Sequence, residues 1–212
     1  MGTSAVGRSV KLLCLPNQDR YRTFEYKRIG ELEAVSARGG KTQADVAIVG
    51  GGPVGLGLSI DLAQRGISSI VIERSNTLHN IPKGQNLTQR TGEHFRSWGV
   101  FDQIRQASPS PRSFGNAGLV AYDRLLGDYH YDWFKRGSVN EFYFAENERL
   151  PQYRTEEVLR QRASEFDNIT IHYDCQGQSV DQNGQGASAE ILNRETGETF
   201  SVSANYLVGC DG

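Results

Sequence analysis

The sequence predicts an α/β fold in which a parallel sheet is followed by an antiparallel β element. Three observations lead to this prediction. The short β-branched run DVAIV (45–49) ends in glycines, a helical pattern follows from Pro53 to Arg65, and SSIVIE (68–73) is a second apolar run. Strands joined through a helix run parallel, with a right-handed crossover, so this stretch of about thirty residues is a βαβ unit.

The first helix is predicted from one apolar face and two end signals. Leu56, Ile60 and Ala63 repeat at helical spacing, and Pro53 suits the first turn. Gly66 stands where a glycine often ends a helix, because glycine adopts the left-handed conformation without strain.

The later elements are predicted from the same periodicities and from turn residues. A helix is expected over 88–98, ending at Gly99, and another over 154–166 with Thr155 as a plausible cap. The expected strands are GLVAY (118–122) and EFYFA (141–145) as an antiparallel element, NITIHYD (168–174), and a hairpin of 187–193 and 199–209 around RETGE.

Composition is typical of a globular protein and excludes several functional classes. The 212 residues carry a formal charge of −2 without a block of like charge, so neither a nucleic acid nor a membrane partner is expected. Three cysteines cannot all pair within one chain, and the four histidines have no metal-ligand spacing. We expect a cytoplasmic protein without a metal site. Residues 1–43 have no sustained period and are expected to be a disordered leader or a gene-model artefact, with the folded domain over 44–212.

The motif G-x-G-x-x-G lies at Gly50, Gly52 and Gly55, directly after a predicted strand and at the start of a helix. In that context Gly50 permits a tight turn, Gly52 lets a pyrophosphate approach the backbone, and Gly55 lets helix and strand pack closely. The helix start then offers unpaired N–H groups, from Val54 onward, and partial positive charge to the phosphates. Pro53 has no N–H to offer, but it fits the first turn of a helix.

Glu73 ends the second predicted strand, at the position where a carboxylate accepts hydrogen bonds from a ribose. It would repel the 2′-phosphate of NADP, so the expected ligand is FAD or NAD, with Arg74 beside it as a further candidate contact. These local features leave the choice between FAD and NAD open.

Four blocks between Ala44 and Gly212 resemble the para-hydroxybenzoate hydroxylase-like flavoprotein monooxygenases. They begin at VAIVGGGPVGLG, PKGQNLTQRTGEHF, LPQYRTEEVLRQRA and NYLVGCDG. The resemblance implies a Rossmann-like FAD-binding domain. It implies that Lys83 lies near the FAD phosphates, in place of the usual arginine, that Gln152 approaches the flavin side, and that Asp211 of the Asp-Gly motif organises the FAD and NAD(P)H region.

The resemblance also implies a reaction, in which flavin reduced by NAD(P)H uses O₂ to hydroxylate a small aromatic, phenol-type substrate. No catalytic base is nominated. Because the family continues beyond the Asp-Gly motif, we expect an incomplete domain of a longer enzyme. The alternatives are another Rossmann-type FAD oxidoreductase and a non-catalytic remnant.

Simpler interpretations stay open for several of these residues. Lys83 could be an ordinary solvated lysine, Gln152 a helix cap, and Asp211 a turn former next to glycine. An aromatic-rich stretch either lines a substrate pocket or packs in the core; it comprises Tyr122, Tyr129, Tyr131, Trp133, Phe142, Tyr143 and Phe144.

Overall fold

Ten strands and four helices occupy the described residues of the computed structural model, which are 41–81, 83–108, 119–121, 130–132 and 141–212. The strands are β1 (Gln43–Val49), β2 (Ser69–Ile72), β3 (Asn86–Leu87), β4 (Leu119–Ala121), β5 (His130–Asp132), β6 (Glu148–Arg149), β7 (Ile169–His172), β8 (Cys175–Asn183), β9 (Gly186–Asn193) and β10 (Thr199–Gly209). The helices are α1 (Pro53–Ala63), α2 (Gln89–Ser97), α3 (Phe101–Ala107) and α4 (Gln152–Ser164).

The main sheet has six strands in the order β7-β2-β1-β10-β9-β8. Strands β7, β2, β1 and β10 pair in parallel, whereas β9 and β8 continue the sheet in antiparallel pairing. The predicted parallel βαβ unit and the predicted β9–β10 hairpin are therefore both confirmed. Two small antiparallel pairs, β3–β6 and β4–β5, lie outside this sheet.

Alternate residues of the central strands pack on opposite faces of the sheet, as the period of a strand requires. Ile48 and Val71 pack with Leu56 of α1, Phe95 of α2 and Leu159 of α4 in one buried cluster. The residues next to them in β1 and β2 pack with residues of β9 and β10 in a second buried cluster on the other face. Its members include Ala47, Ile70, Ile72, Ile191 and Val202. Burial on both faces explains why these strands are continuous apolar runs.

Helix α1 has the predicted buried face but ends at Ala63, two residues before the predicted end. Gly66 N–H donates to the Ala63 carbonyl (3.0 Å) and Ile67 N–H donates to the Leu62 carbonyl (3.1 Å). Gly66 has φ +78°, so these bonds form a Schellman-type end, as the glycine predicted.

Helix α2 begins after Thr88, whose hydroxyl accepts a hydrogen bond from Thr91 N–H (3.3 Å). The predicted helix after it, α4, begins earlier than expected, at Gln152, so Thr155 lies inside the helix and the prediction that it caps the helix is wrong. Its side chain is buried, and in the described part of the chain its hydroxyl oxygen has no hydrogen-bond partner.

The prediction of a strand over EFYFA (141–145) is wrong, because Glu141 and Phe142 are in 3₁₀ conformation and residues 143–145 are not in a strand. Phe142 and Phe144 are 70% and 95% exposed, so they do not pack in the core. Strand β4 lies within the predicted GLVAY run and pairs with β5, which was not predicted as a strand. The first 40 residues, and Tyr122, Tyr129 and Trp133, lie outside the described residues. Among the helices described, none combines the length and apolar character that crossing a membrane requires.

Candidate functional site

The carboxyl ends of the four parallel strands are level. In the pairing register Val49 of β1 lies opposite Ile72 of β2 and Gly209 of β10, and Ile72 lies opposite His172 of β7. From β1 the chain moves through α1 to β2 on one side, whereas β10 lies on the other side of β1. Open α/β sheets bind ligands at such a reversal of strand order, outside the carboxyl ends.

A cleft of about 580 Å³ lies at these strand ends. The structure brings together in its wall every predicted site residue except Gly55; those that line it are Gly50, Gly52, Pro53, Val54, Glu73, Arg74, Lys83, Gln152 and Asp211. Residues more than 150 positions apart in the sequence therefore share one site.

The three predicted glycines differ in what surrounds them. Gly50 has φ +110°, and a Cβ there would lie 2.5 Å from the Cys210 carbonyl carbon. A Cβ on Gly55 would lie 1.9 Å from the Gly50 carbonyl oxygen, so Gly55 serves the packing of the loop against α1. A Cβ on Gly52 would meet nothing within 4 Å, since this residue faces the open cleft. Gly52 thus leaves room for a ligand against the backbone.

The N-terminus of α1 opens into the cleft without a side-chain cap. Gly52 is the N-cap residue, and the first turn contains no acidic side chain. Leu56 N–H donates to the Gly52 carbonyl (2.9 Å), so the N–H groups of Val54 and Gly55 precede the first intrahelical bond. Such N–H groups and the helix dipole suit a phosphate. A dinucleotide pyrophosphate therefore fits this cradle.

Glu73 is held at the strand end by backbone donors. Its Oε2 accepts from Gly51 N–H (2.7 Å) and its Oε1 accepts from Ser75 N–H (2.9 Å). Both oxygens keep further lone pairs, so the carboxylate can still accept from ribose hydroxyls. Gly51 is a site residue that the motif analysis missed: a Cβ there would lie 2.8 Å from Glu73 Cβ. The available signal was that Gly51 joins Gly50 and Gly52 into an unbroken run of three glycines.

Arg74, Lys83 and Gln152 line other parts of the same cleft. Arg74 follows Glu73, and its carbonyl accepts from Arg194 Nη1 (2.8 Å). Lys83 is exposed at the rim. Gln152 is the first residue of α4 rather than a residue ahead of it, and its Nε2 donates to Glu156 Oε1 (2.7 Å).

Asp211 directly follows the Cys210 backbone that touches Gly50, and its side chain is exposed. Cys210 N–H donates to the Val49 carbonyl (2.6 Å), so the sheet pairing of β1 and β10 delivers Asp211 to the cleft. Burial, and secondarily the Asp211 charge, raises the pKa of the Cys210 thiol.

An apolar groove of about 370 Å³ adjoins the cleft and shares Pro53, Val54 and Gln152 with it. Its remaining wall comes mainly from α1, α2 and the segments around β3 and β6, and includes Leu58, His94, Phe95, Trp98 and Leu150. The groove was not predicted, because the residues that line it look like ordinary core positions in the sequence.

The cleft also contains residues that the sequence analysis did not nominate: Ser75, Thr77, His79, Arg160, Cys175, Gln176 and Gly177. Most follow the carboxyl ends of β2 and β7, and Arg160 lies on α4. No local motif marks them. The sheet order, which places β7 next to β2, brings Cys175, Gln176 and Gly177 to the site.

Comparison with known proteins gives a consistent result. Residues 43–212 match the family model described as FAD binding domain. A putative polyketide hydroxylase from Streptomyces halstedii is 32% identical over 188 residues, which are 85% of this chain and 33% of that protein. A 3-(3-hydroxy-phenyl)propionate/3-hydroxycinnamic acid hydroxylase from Mycolicibacterium smegmatis is 32% identical over 177 residues, which are 79% of this chain and 28% of that protein.

A crystal structure of the flavin-dependent monooxygenase PieE in complex with FAD and substrate has a similar fold, with a TM-score of 0.70 at 25% identity. The match covers 80% of this chain and 30% of PieE. The chain thus spans about a third of the length of these relatives.

Proposed function

The chain belongs to the FAD binding domain family, and from this premise we propose that it is the FAD-binding part of a flavin-dependent monooxygenase. The proposed reaction hydroxylates a small phenol-type aromatic substrate with NAD(P)H and O₂. Two relatives with hydroxylase names, and a similar fold in a flavin-dependent monooxygenase, support this proposal. When bound, the flavin supplies the redox chemistry, and the chain supplies binding and orientation.

One observation carries the proposal. The uncapped N-terminus of α1, the open side of Gly52 and the preoriented carboxylate of Glu73 face a single cleft at the ends of β1 and β2. A pyrophosphate linked to a ribose presents its anionic and hydroxyl groups in the same order. Free NAD would fit this half of the cleft equally well, and membership in the FAD family decides for FAD.

We assign a role to each predicted residue on this basis. Gly52 and the N–H groups of Val54 and Gly55 would bind the pyrophosphate, with Pro53 shaping the helix start and Gly50 the turn. Glu73 would accept from the adenosine ribose. Arg74 and Lys83 would supply positive charge at the rim, and Gln152 and Asp211 would lie toward the flavin. We also propose that the protein acts in the cytoplasm and that residues 44–212 form the FAD-binding unit.

Titration of the chain with FAD, ADP and FMN tests the binding proposal. The groups in the cleft suit adenosine and pyrophosphate, so ADP should compete with FAD for one site, whereas FMN should compete at least tenfold less well. Equal competition by FMN, or no saturable binding of FAD, would contradict the assignment.

The proposed reaction is tested by oxygen uptake with NAD(P)H. Uptake stimulated by a phenol, with formation of a hydroxylated product, supports a monooxygenase. Uptake without such a product favours another FAD oxidoreductase.

A further inference from the structure

Arg160 of helix α4 lines the cleft and is positively charged. The roles proposed for the glycine loop and Glu73 give this side chain no contact with the ligand. Its Nη1 donates to the Asn76 carbonyl (3.0 Å), and its Nε is buried and has no hydrogen-bond partner among the described residues. Within the part of the chain that the structure describes, no carboxylate lies at ion-pair distance from this guanidinium. A cation that lines a cleft without a counter-ion is available to a ligand.

The guanidinium is oriented by an aromatic ring. The Arg160 Cζ lies 4.9 Å from the centroid of the Tyr173 ring. Burial raises the pKa of the Tyr173 phenol, the Arg160 charge lowers it, and the Glu73 charge raises it. Glu73 N–H donates to the carbonyl of His172 (2.9 Å), the residue directly before Tyr173, so Glu73 and Tyr173 lie on neighbouring strand ends. Arg160 therefore lies beside the proposed ribose site.

The order of strand ends indicates which part of the cofactor reaches Arg160. Strands β1, β2 and β7 are neighbours in the sheet. The glycine loop follows the end of β1, Glu73 follows β2, and Tyr173 follows β7. Neighbouring strands are about 4.8 Å apart, so each step is close to the spacing of successive groups in a nucleotide. If the pyrophosphate lies at Gly52 and the ribose at Glu73, the next group outward is the base.

We infer that Arg160 binds the adenine base of FAD, with its planar guanidinium stacked on the ring. This inference rests on the proposed FAD site. Adenine has a π face on which guanidinium planes stack, and the contact combines cation–π attraction with apolar packing. A lysine keeps the charge of arginine but lacks its plane, so the two residues differ at a stacked site.

The residues that hold Arg160 are themselves fixed. Asn76 Nδ2 donates to Asp174 Oδ2 (2.6 Å), and Arg194 N–H donates to the Asp174 carbonyl (2.7 Å). Asp174 has φ +54°, a left-handed conformation that is uncommon outside glycine. The Asn76 carbonyl that anchors Arg160 thus belongs to a loop tethered from the turn after β7, which keeps the guanidinium in place before a ligand arrives.

Calorimetric titration of the chain with ADP and with FAD tests this inference. Arg160→Met keeps a long unbranched side chain but removes charge and plane, and Arg160→Lys restores only the charge. Arg65→Met is the matched control, because Arg65 lies just after the end of α1, pairs with Asp61 (2.8 Å) and does not line the cleft. Unfolding midpoints without ligand establish that each variant is folded, and Arg160→Lys serves alone if Arg160→Met is not.

Both Arg160 variants should weaken ADP and FAD by roughly threefold to thirtyfold, while Arg65→Met leaves both affinities unchanged. Wild-type affinity in Arg160→Lys would overturn the inference. It would show that the charge alone is needed at this position, as in a contact with a phosphate, and that the planar guanidinium is not. Unchanged affinity in folded Arg160→Met, with weaker binding in Glu73→Ala, would remove Arg160 from the site. If the wild-type chain bound neither ligand, the proposed FAD site itself would fail.

Discussion

Gly52→Ala separates ligand binding from folding more cleanly than any other change in the glycine loop. A Cβ at Gly52 would meet nothing within 4 Å, and this residue has φ −77°, which alanine adopts without strain. The fold should lose less than about 1 kcal/mol, the scale of a weaker N-cap. A methyl group between the backbone and the pyrophosphate should remove about one charge-assisted hydrogen bond, or 1.5–3 kcal/mol. FAD affinity should therefore fall roughly 10-fold to 150-fold.

Two other glycines supply matched controls for this prediction. Gly66→Ala places a side chain at φ +78°, with nothing within 4 Å of its Cβ, so it should cost about 1 kcal/mol of stability and leave FAD binding intact. Gly55→Ala should impair both folding and binding, because its Cβ would lie 1.9 Å from the Gly50 carbonyl oxygen. Thermal unfolding and FAD titration of the three variants measure both effects. Wild-type FAD affinity in Gly52→Ala would refute the placement of the pyrophosphate.

Three further predictions follow from other parts of the fold. Glu73→Ala should weaken FAD by about 1–3 kcal/mol in calorimetric titration, because it removes charge-assisted bonds to the ribose, and unchanged affinity would exclude Glu73 from the site. Thr155→Val should leave thermal stability unchanged or raise it by up to about 1 kcal/mol, since it replaces a buried hydroxyl that has no partner. A clear loss of stability would show that the hydroxyl is satisfied. Burial raises the thiol pKa of both Cys175 and Cys210, so their alkylation should be slower than that of free cysteine at neutral pH and should accelerate only at higher pH. Peptide mass mapping measures each site, and fast labelling at neutral pH would contradict the raised pKa.

Much of the parallel core could be predicted because its signals are local. Strand β1, helix α1 and strand β2 each carry their own periodicity, and the glycines at the ends of α1 and α2 mark where those helices stop. The glycine loop and Glu73 were predicted from spacing, and the structure places both in one cleft. Their proposed contacts with FAD stay predictions.

The rest of the fold depends on distant residues. Strand β8 has the polar sequence CQGQSVDQN and was not predicted as a strand, because its sequence lacks an apolar strand pattern. Its antiparallel pairing with β9 holds it in the sheet. EFYFA has high strand propensity but no strand partner in the described structure, and it forms a turn. Arg160 is one of several arginines on a helix, and only the packing of α4 near β7 sets it apart.

A structure of the chain with bound FAD is the most direct test of the proposed cofactor site. We expect pyrophosphate oxygens within about 3.2 Å of the N–H groups of Val54 and Gly55. We also expect ribose hydroxyls on the Glu73 carboxylate and the adenine ring against Arg160. A cofactor bound elsewhere, or bound in this cleft with its pyrophosphate away from Gly52, would contradict the proposed site.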